Sequence, residues 1–161
     1  MDRLWSPWRA RYIASGVDSQ SDKCVFCHIA REEEHDEENL VLYRGEHAFV
    51  VLNLYPYISG HLMVVPYLHI GELDATPKEI TDEMMDLTKR AQTALREVYS
   101  PAGFNLGMNL GAAAGAGVVD HIHIHLLPRW SGDTNFMTTI GETRVLPEDL
   151  RTTYSKLAAS F

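Results

Sequence analysis

Histidines alternate with large apolar residues from His121 to Leu126, and this stretch constrains the fold more than any other. Successive side chains of a β-strand point to opposite faces, so a strand here places three imidazoles on one face and three aliphatic side chains on the other. The pattern predicts a strand whose apolar face is buried and whose histidine face, formed by His121, His123 and His125, lies over a pocket. Imidazole can exchange a proton near neutral pH, attack phosphorus and bind zinc.

Length and composition indicate one ordinary domain. The chain has 161 residues, of which 45% are hydrophobic and 22% charged, so we expect a single domain over residues 1–161 with an N-terminal arm over residues 1–23. No apolar run approaches the roughly 20 residues of a membrane span, and the charged, proline-interrupted N-terminus is unlike a secretory signal. We therefore expect a cytoplasmic protein without a membrane partner. The net charge of −8 argues against binding of a nucleic acid polymer.

The pattern of strands and helices predicts an α+β fold. Short apolar runs at 40–43, 48–52 and 61–66 are separated by turns and loops, which indicates an antiparallel meander rather than βαβ units. Apolar residues at steps of three and four predict a long amphipathic helix from Ile80 to Val98. The segment Thr76-Pro77-Lys78-Glu79 predicts a capping box at its start. A half-buried strand at 104–110 follows, and a last helix opens at Pro147.

A loop of glycine and alanine, residues 111–117, leads directly into the histidine stretch. Glycine permits close approach of the backbone, and small side chains leave backbone N–H groups accessible to a phosphate. We therefore expect Gly111, Gly115 and Gly117 to bind substrate.

Cys24 and Cys27 are the two cysteines of the chain. A two-residue spacer lets both thiolates reach one tetrahedral zinc ion, and in a reducing compartment such a pair indicates metal or redox chemistry more than a structural disulfide. Two further ligands would have to come from elsewhere in the chain. His28, which follows Cys27 directly, is one candidate, and two unligated thiols are the alternative to a metal site.

The histidine stretch resembles the signature of the histidine triad family, in which three histidines alternate with apolar residues. Nearly the whole chain is similar to the bacterial branch of this family that contains diadenosine tetraphosphate phosphorylases. The resemblance implies an α+β histidine triad fold, with an antiparallel sheet of about five strands, one long helix and a C-terminal helix, commonly paired as a homodimer. The similar segments are Leu4 to Arg9, Cys24 with Cys27, Asn53 to Tyr57, Gly60-His61, Pro66 to His69, Asn109 to Gly111, Arg129-Trp130 and Asn135 to Met137.

The same resemblance implies roles for individual side chains. His123, the middle histidine, would attack the α-phosphorus of an adenosine-containing nucleotide and form a covalent nucleotidyl-histidine. His61 would orient or assist it. His125 and Asn109 would stabilise the phosphoryl charge together with the glycine loop, and Asn53 would bind the ribose hydroxyls.

For the metal, the resemblance implies a set of four protein ligands. His69 and His121 would join Cys24 and Cys27 around one zinc ion. Four protein ligands close the coordination sphere, so such a zinc would be structural rather than catalytic.

The predicted function is cleavage of a dinucleoside polyphosphate through nucleotidyl-His123, which phosphate then resolves. One alternative is a hydrolase of dinucleoside polyphosphates or nucleoside phosphoramidates. Another is a zinc-stabilised nucleotide-binding regulatory protein with little turnover, because many relatives have Gly-Gln-Ser where this chain has Gly115-Ala116-Gly117. Phosphorylases and transferases of the superfamily often have glutamine in place of the third histidine, whereas this chain retains His125. The third position therefore does not distinguish hydrolysis from phosphorolysis.

Overall fold

The computed structural model describes residues 24–141 and 147–161, so the predicted N-terminal arm lies outside the described residues. Within this part of the chain, one antiparallel sheet has the strand order β1-β2-β3-β5-β4. The predicted meander is confirmed, and the strand that follows the glycine loop lies between β3 and β4. The strands are β1 (Val41–Arg44), β2 (Ala48–Leu52), β3 (Leu62–Pro66), β4 (Gly103–Met108) and β5 (Ile124–Arg129).

Four α-helices lie in the described residues, and the predicted α+β fold is confirmed. They are α1 (Val25–Arg31), α2 (Lys78–Tyr99), α3 (Phe136–Thr139) and α4 (Leu150–Ala158). Two short 3-10 helices, Glu33–His35 and Ala112–Ala114, lie in loops. No helix of the described residues combines the length and the apolar character that a membrane span requires.

The two faces of the sheet pack against different elements. The long helix α2 and the C-terminal helix α4 cover one face, where they bury side chains such as Val50, Val64, Met84, Leu95, Leu126 and Leu157. The short helix α1 covers part of the other face, in a smaller cluster with Phe26, Val41, Val51, Met63, Val65 and Val118. The sheet therefore separates the main core from the side on which α1 and the histidines lie.

The long helix has the predicted apolar stripe but not the predicted cap. Its buried positions include Ile80, Met84 and Leu87, at steps of four and three. The helix begins at Lys78 with Pro77 as the N-cap residue, and no side chain caps it. The hydroxyl of Thr76 instead donates to the carbonyl of Glu72 at 2.8 Å. The capping-box prediction was wrong because Thr76 lies one residue outside the cap and its hydroxyl is used in the preceding loop.

The histidine stretch is only partly a strand. Ladder pairing begins at Ile124, so His121 and His123 lie in the irregular segment before β5. The Ile122 N–H donates to the carbonyl of Ile70 at 2.8 Å and holds this segment beside the loop after β3. The predicted alternation is nevertheless present, because Ile122, Ile124 and Leu126 are buried in the main core. The strand predicted at 104–110 likewise ends early, at Met108.

Candidate active site

A cavity of about 240 Å³ opens on the side of the sheet that α1 covers. Its base is a row of paired residues, in which Val51 of β2 faces Met63 of β3 and Met63 faces His125 of β5. Helix α1 contributes Val25, Phe26, His28 and Ile29 to the lining, and the loop before the histidines contributes Gly115 and Gly117. His123 and His125 also line the cavity, whereas His121 does not. A mostly apolar cavity with a few polar groups at one end suits a small organic ligand.

Hydrogen bonding determines which ring nitrogen of His123 holds the proton. Its Nδ1 lies 2.9 Å from the carbonyl oxygen of His121, and a carbonyl only accepts, so Nδ1 holds the proton and Nε2 has the lone pair. Burial lowers the pKa of His123, and the bond to the His121 carbonyl opposes this shift. The imidazole is therefore neutral at neutral pH, with Nε2 able to act as a nucleophile.

His61 and His125 form a second chain of defined hydrogen bonds. The Tyr57 N–H donates to Nδ1 of His61 at 3.2 Å, so Nε2 of His61 holds the proton. That proton is donated to Nδ1 of His125 at 2.9 Å, which leaves the proton of His125 on its Nε2. The ring centroids of His123 and His125 are 4.8 Å apart. A lone pair and an N–H donor are thus presented side by side.

The buried side chain of His61 supports this arrangement. Burial, and then the neighbouring imidazoles of His125 and His123, lower the pKa of His61 to about 3. His61 is 0% exposed, so a charge there would be poorly solvated. The neutral form is the one in which a single Nε2–H can orient His125.

The Asn53 amide is hydrogen-bonded within the protein. Its Oδ1 accepts from the Tyr55 N–H at 2.9 Å, and its Nδ2 lies 3.3 Å from Nδ1 of His61. Asn53 lines the cavity, and these contacts give it a role in holding the loop and His61. Its predicted contact with ribose stays a prediction.

The glycine loop lies partly at the cavity, and its predicted contact with substrate stays a prediction. Asn109, Gly115 and Gly117 line the cavity, but Gly111 is not among the lining residues. The Ala114 and Ala116 N–H groups donate to the carbonyl of Gly111, and the Gly115 N–H donates to Ala112. These three N–H groups are engaged within the loop and are not presented to a phosphate in this conformation.

The predicted metal ligands lie together. Nδ1 of His121 is 3.3 Å from Sγ of Cys24 and 3.6 Å from Sγ of Cys27, and Nδ1 of His69 is 3.2 Å from Sγ of Cys27. All four ligand atoms lie within 4.8 Å of one another. Ligand atoms of a tetrahedral zinc site are separated by about 3.3–3.8 Å, given bonds of about 2.0–2.3 Å. The three separations given first are close to this range, so the donor set is of the kind that can hold a tetrahedral metal ion.

The second nitrogen of His121 is also paired. Its Nε2 lies 2.8 Å from the carbonyl of Pro66, so Nε2 donates and the Nδ1 lone pair points to the sulfurs. Burial lowers the pKa of His121 to about 4, against a raising effect of the Pro66 bond. His28, the competing candidate, is excluded from the cluster, since its exposed ring lies 3.3 Å from Glu32.

Two residues that the sequence did not single out support the site, Phe26 through its contacts with the histidine rings and Arg44 through its bonds to α1. The Phe26 ring lies 5.4 Å from the ring of His121 and 4.9 Å from that of His123. Arg44 donates to the carbonyls of Ile29 and Ala30, at 2.9 and 3.2 Å, at the C-terminal end of α1. No local pattern could have indicated Arg44, because it reaches α1 only through the fold.

The fold and the histidine site define a histidine triad protein. The model of the HIT domain matches residues 34–132, and the chain belongs to this family. The AP-4-A phosphorylase of Mycobacterium tuberculosis is 42% identical over 167 residues, which cover 100% of this chain and 85% of that protein. An asymmetrical bis(5'-nucleosyl)-tetraphosphatase of Schizosaccharomyces pombe is 34% identical over 94 residues, covering 58% of this chain and 50% of that protein.

Solved structures include similar folds. A Zn-bound histidine triad family protein from Mycobacterium smegmatis superposes with a TM-score of 0.70 at 30% identity. The match covers 88% of this chain and 94% of that structure.

Proposed function

We propose that the chain is a nucleotidyl transferase that cleaves dinucleoside polyphosphates, such as diadenosine tetraphosphate, with phosphate as the acceptor. The observation on which the proposal depends is the neutral imidazole of His123, with its lone pair on Nε2, beside the N–H of His125 in a cavity large enough for a nucleoside. The similarity over the whole chain to a protein named AP-4-A phosphorylase supports the choice of substrate.

In the proposed reaction, Nε2 of His123 attacks the α-phosphorus, and the bond from this phosphorus to the bridging oxygen breaks. The remaining polyphosphate leaves as an anion, and a nucleotidyl group is attached to His123. An oxygen of inorganic phosphate then attacks the same phosphorus, which releases a nucleoside diphosphate and restores the imidazole. The Nε2–H of His125 donates to the phosphoryl oxygens while negative charge builds up on them.

We infer that zinc occupies the cluster of Cys24, Cys27, His69 and His121. When bound, zinc would supply a structural cross-link and no reacting group, because four protein ligands complete its tetrahedral sphere. The ligands come from the start of α1, from the loop after β3 and from the segment before β5. The ion would therefore hold α1 against the histidine segment.

We expect the active form to be a homodimer, as the family resemblance implies. β4 lies at one edge of the sheet, and a strand at an edge can pair with a second copy of the same chain. Size-exclusion chromatography with light scattering would measure the mass in solution and test this expectation.

The proposed activity is tested by incubating the protein with diadenosine tetraphosphate, with and without inorganic phosphate. We expect ADP and ATP when phosphate is present, and mass spectrometry of the quenched protein should detect a nucleotidyl group on His123. His123→Ala should lower the rate at least about a thousandfold and abolish the adduct, because the nucleophile is lost.

His35→Ala is the matched control, since His35 is exposed and does not line the cavity, and it should retain the wild-type rate. A His123→Ala protein that turns over at the wild-type rate would refute the mechanism. Cleavage that is indifferent to phosphate and yields AMP would identify a hydrolase. Tight AMP binding without turnover or adduct would identify a regulatory protein.

A further inference from the structure

Asn39 and Glu32 form a polar pair beside the cavity that the proposed mechanism does not use. Asn39 lines the cavity, and its Nδ2 lies 3.1 Å from Oε2 of Glu32. An ionised carboxylate only accepts hydrogen bonds, so the NH₂ group of the Asn39 amide must face Glu32. The amide oxygen is thereby turned away from Glu32. Among the residues that the structure describes, no donor is hydrogen-bonded to this oxygen.

The sheet places Asn39 far from the reacting histidines. Leu40, the next residue, accepts a hydrogen bond from the Leu52 N–H at 3.0 Å. Leu52 is paired with Leu62 of β3, and Leu62 with Leu126 of β5. Three strand spacings, about 14 Å, therefore separate Leu40 from β5. Asn39 is too distant to contact a phosphorus atom at His123.

The cavity between these two ends is apolar. Val51 and Met63 form its base between Asn39 and His125, and Phe26 and Ile29 of α1 line it from the other side. An apolar slot of this kind suits the faces of a purine, whereas the polar edge of the base needs a partner at the far end. A nucleoside monophosphate with its phosphorus at His123 would reach that far end with its base.

The backbone beside Asn39 is held in an uncommon conformation. Leu40 has a φ of 61°, in the left-handed region that leucine rarely adopts. Hydrogen bonds on both sides maintain it, since the Leu40 N–H donates to Glu37 and the Val41 N–H donates to Asp36 at 2.8 Å. The Leu40 side chain is thereby buried in the main core. The same backbone conformation places Asn39 at the cavity, so the hydrogen bonds of Leu40 and Val41 also fix the position of Asn39.

We propose that Asn39, oriented by Glu32, accepts a hydrogen bond from the 6-amino group of adenine and thereby favours adenine over a purine that lacks this group. This inference rests on the proposed function, because it assigns the base end of the same cavity. Asn39 would contact the substrate, whereas Glu32 is a positioning residue that acts through Asn39. A base without the amino group would leave the amide oxygen covered and without a partner, and this weakens binding.

The test compares the binding of two ligands, AMP and purine riboside 5'-monophosphate, which has hydrogen in place of the 6-amino group. Isothermal titration calorimetry on the full chain should give AMP a dissociation constant about tenfold lower, as expected for one hydrogen bond. Asn39→Ala should bring the ratio of the two constants close to one by weakening AMP alone.

Glu32→Gln tests the orienting role without changing the shape of the side chain. Glutamine both donates and accepts, so the Asn39 amide can rotate by half a turn, and the preference for AMP should fall. Glu34→Gln is the matched control, because Glu34 is exposed and does not line the cavity, and it should keep the wild-type ratio.

The possible outcomes separate this inference from the proposed function. A wild-type ratio close to one, or an unchanged ratio in both Asn39→Ala and Glu32→Gln, would overturn the role of Asn39. Discrimination between the two ligands without any turnover of diadenosine tetraphosphate would support Asn39 and refute the proposed function. Failure to bind either ligand would overturn both.

Discussion

At the scale of single residues, the chemistry depends on which nitrogen of each imidazole holds the proton. The His121 carbonyl assigns the proton of His123 to Nδ1. The Tyr57 N–H, acting through His61, assigns the proton of His125 to Nε2. The proposed nucleophile and the proposed hydrogen-bond donor are thus the same residue type, and they differ in their hydrogen-bond partners. Neutral His61 is required for this chain of bonds.

Burial of His61 should make the stability of the fold depend on pH. Its pKa is lowered to about 3 in the folded protein, against about 6.5 when unfolded. The unfolded chain binds a proton that the folded chain excludes, so stability is complete above the unfolded pKa and falls as pH decreases below it. Between pH 7 and pH 5, His61 should contribute a loss of about 2 kcal/mol in the free energy of unfolding.

Urea unfolding of wild type and His61→Gln at the two pH values would measure this contribution. The variant should lose about 2 kcal/mol less than wild type between them. His35→Gln, a change of an exposed histidine, should keep the wild-type pH dependence. An equal loss in His61→Gln and wild type would contradict the burial argument.

At the scale of elements, the turn between β1 and β2 shows how the long helix supports the sheet. Glu83 of α2 accepts hydrogen bonds from the Glu46 N–H at 2.8 Å and from the His47 N–H. The Gly45 N–H donates to the Ala48 carbonyl at 2.8 Å. The helix thereby fixes the turn of the β1–β2 hairpin, whose first strand begins beside Asn39.

Close approach explains the glycine in this turn. A Cβ at position 45 would lie 2.5 Å from Oε1 of Glu83 and 2.9 Å from the carbonyl oxygen of Ala48. Gly45→Ala should therefore destabilise the fold by about 1–3 kcal/mol, measured by urea unfolding. Gly103→Ala is the control, because a Cβ there meets nothing within 4 Å, and it should stay within about 0.5 kcal/mol of wild type. A Gly45→Ala protein as stable as the control would show that both the Glu83 side chain and the Ala48 carbonyl move away at little cost.

At the scale of the whole molecule, the cysteine and histidine cluster joins segments that are distant in sequence. Cys24 lies 97 residues from His121, and Cys27 lies 42 residues from His69. The same helix that provides both cysteines also lines the cavity with Phe26 and Ile29. Loss of a metal ion from the cluster should therefore lower the stability of the fold and weaken the binding of nucleotide.

Loss of the metal should have two measurable effects. We expect about one zinc ion per chain in the purified protein, and Cys27→Ser should lower the zinc content and reduce the melting temperature by at least about 5 °C. The dissociation constant of AMP should rise in the same variant, because α1 is no longer held at its N-terminal end. His28→Ala should keep zinc and melting temperature, since His28 lies outside the cluster. Native protein without zinc would favour two unligated thiols.

The sequence alone determined the class of fold, and through the family resemblance it indicated which residues are the proposed metal ligands. Alternation at 121–126 and the apolar steps of α2 are local periodicities, and local periodicity reports which face of a strand or helix is buried. The four proposed metal ligands and the roles of His61, His123 and His125 came from the family resemblance. The short distances between the ligand atoms agree with the proposed metal site. Local signals failed at Thr76, whose hydroxyl bonds to Glu72 instead of capping a helix.

Only the tertiary structure decided the hydrogen-bond partners. Arg44 reaches the end of α1 and Asn39 is brought to the far end of the cavity because separate strands pair side by side. The proton positions of His123 and His125 likewise depend on backbone groups that the fold presents to them. Periodicity can predict that a side chain faces inward. Its hydrogen-bond partner depends on how segments that are distant in sequence pack together.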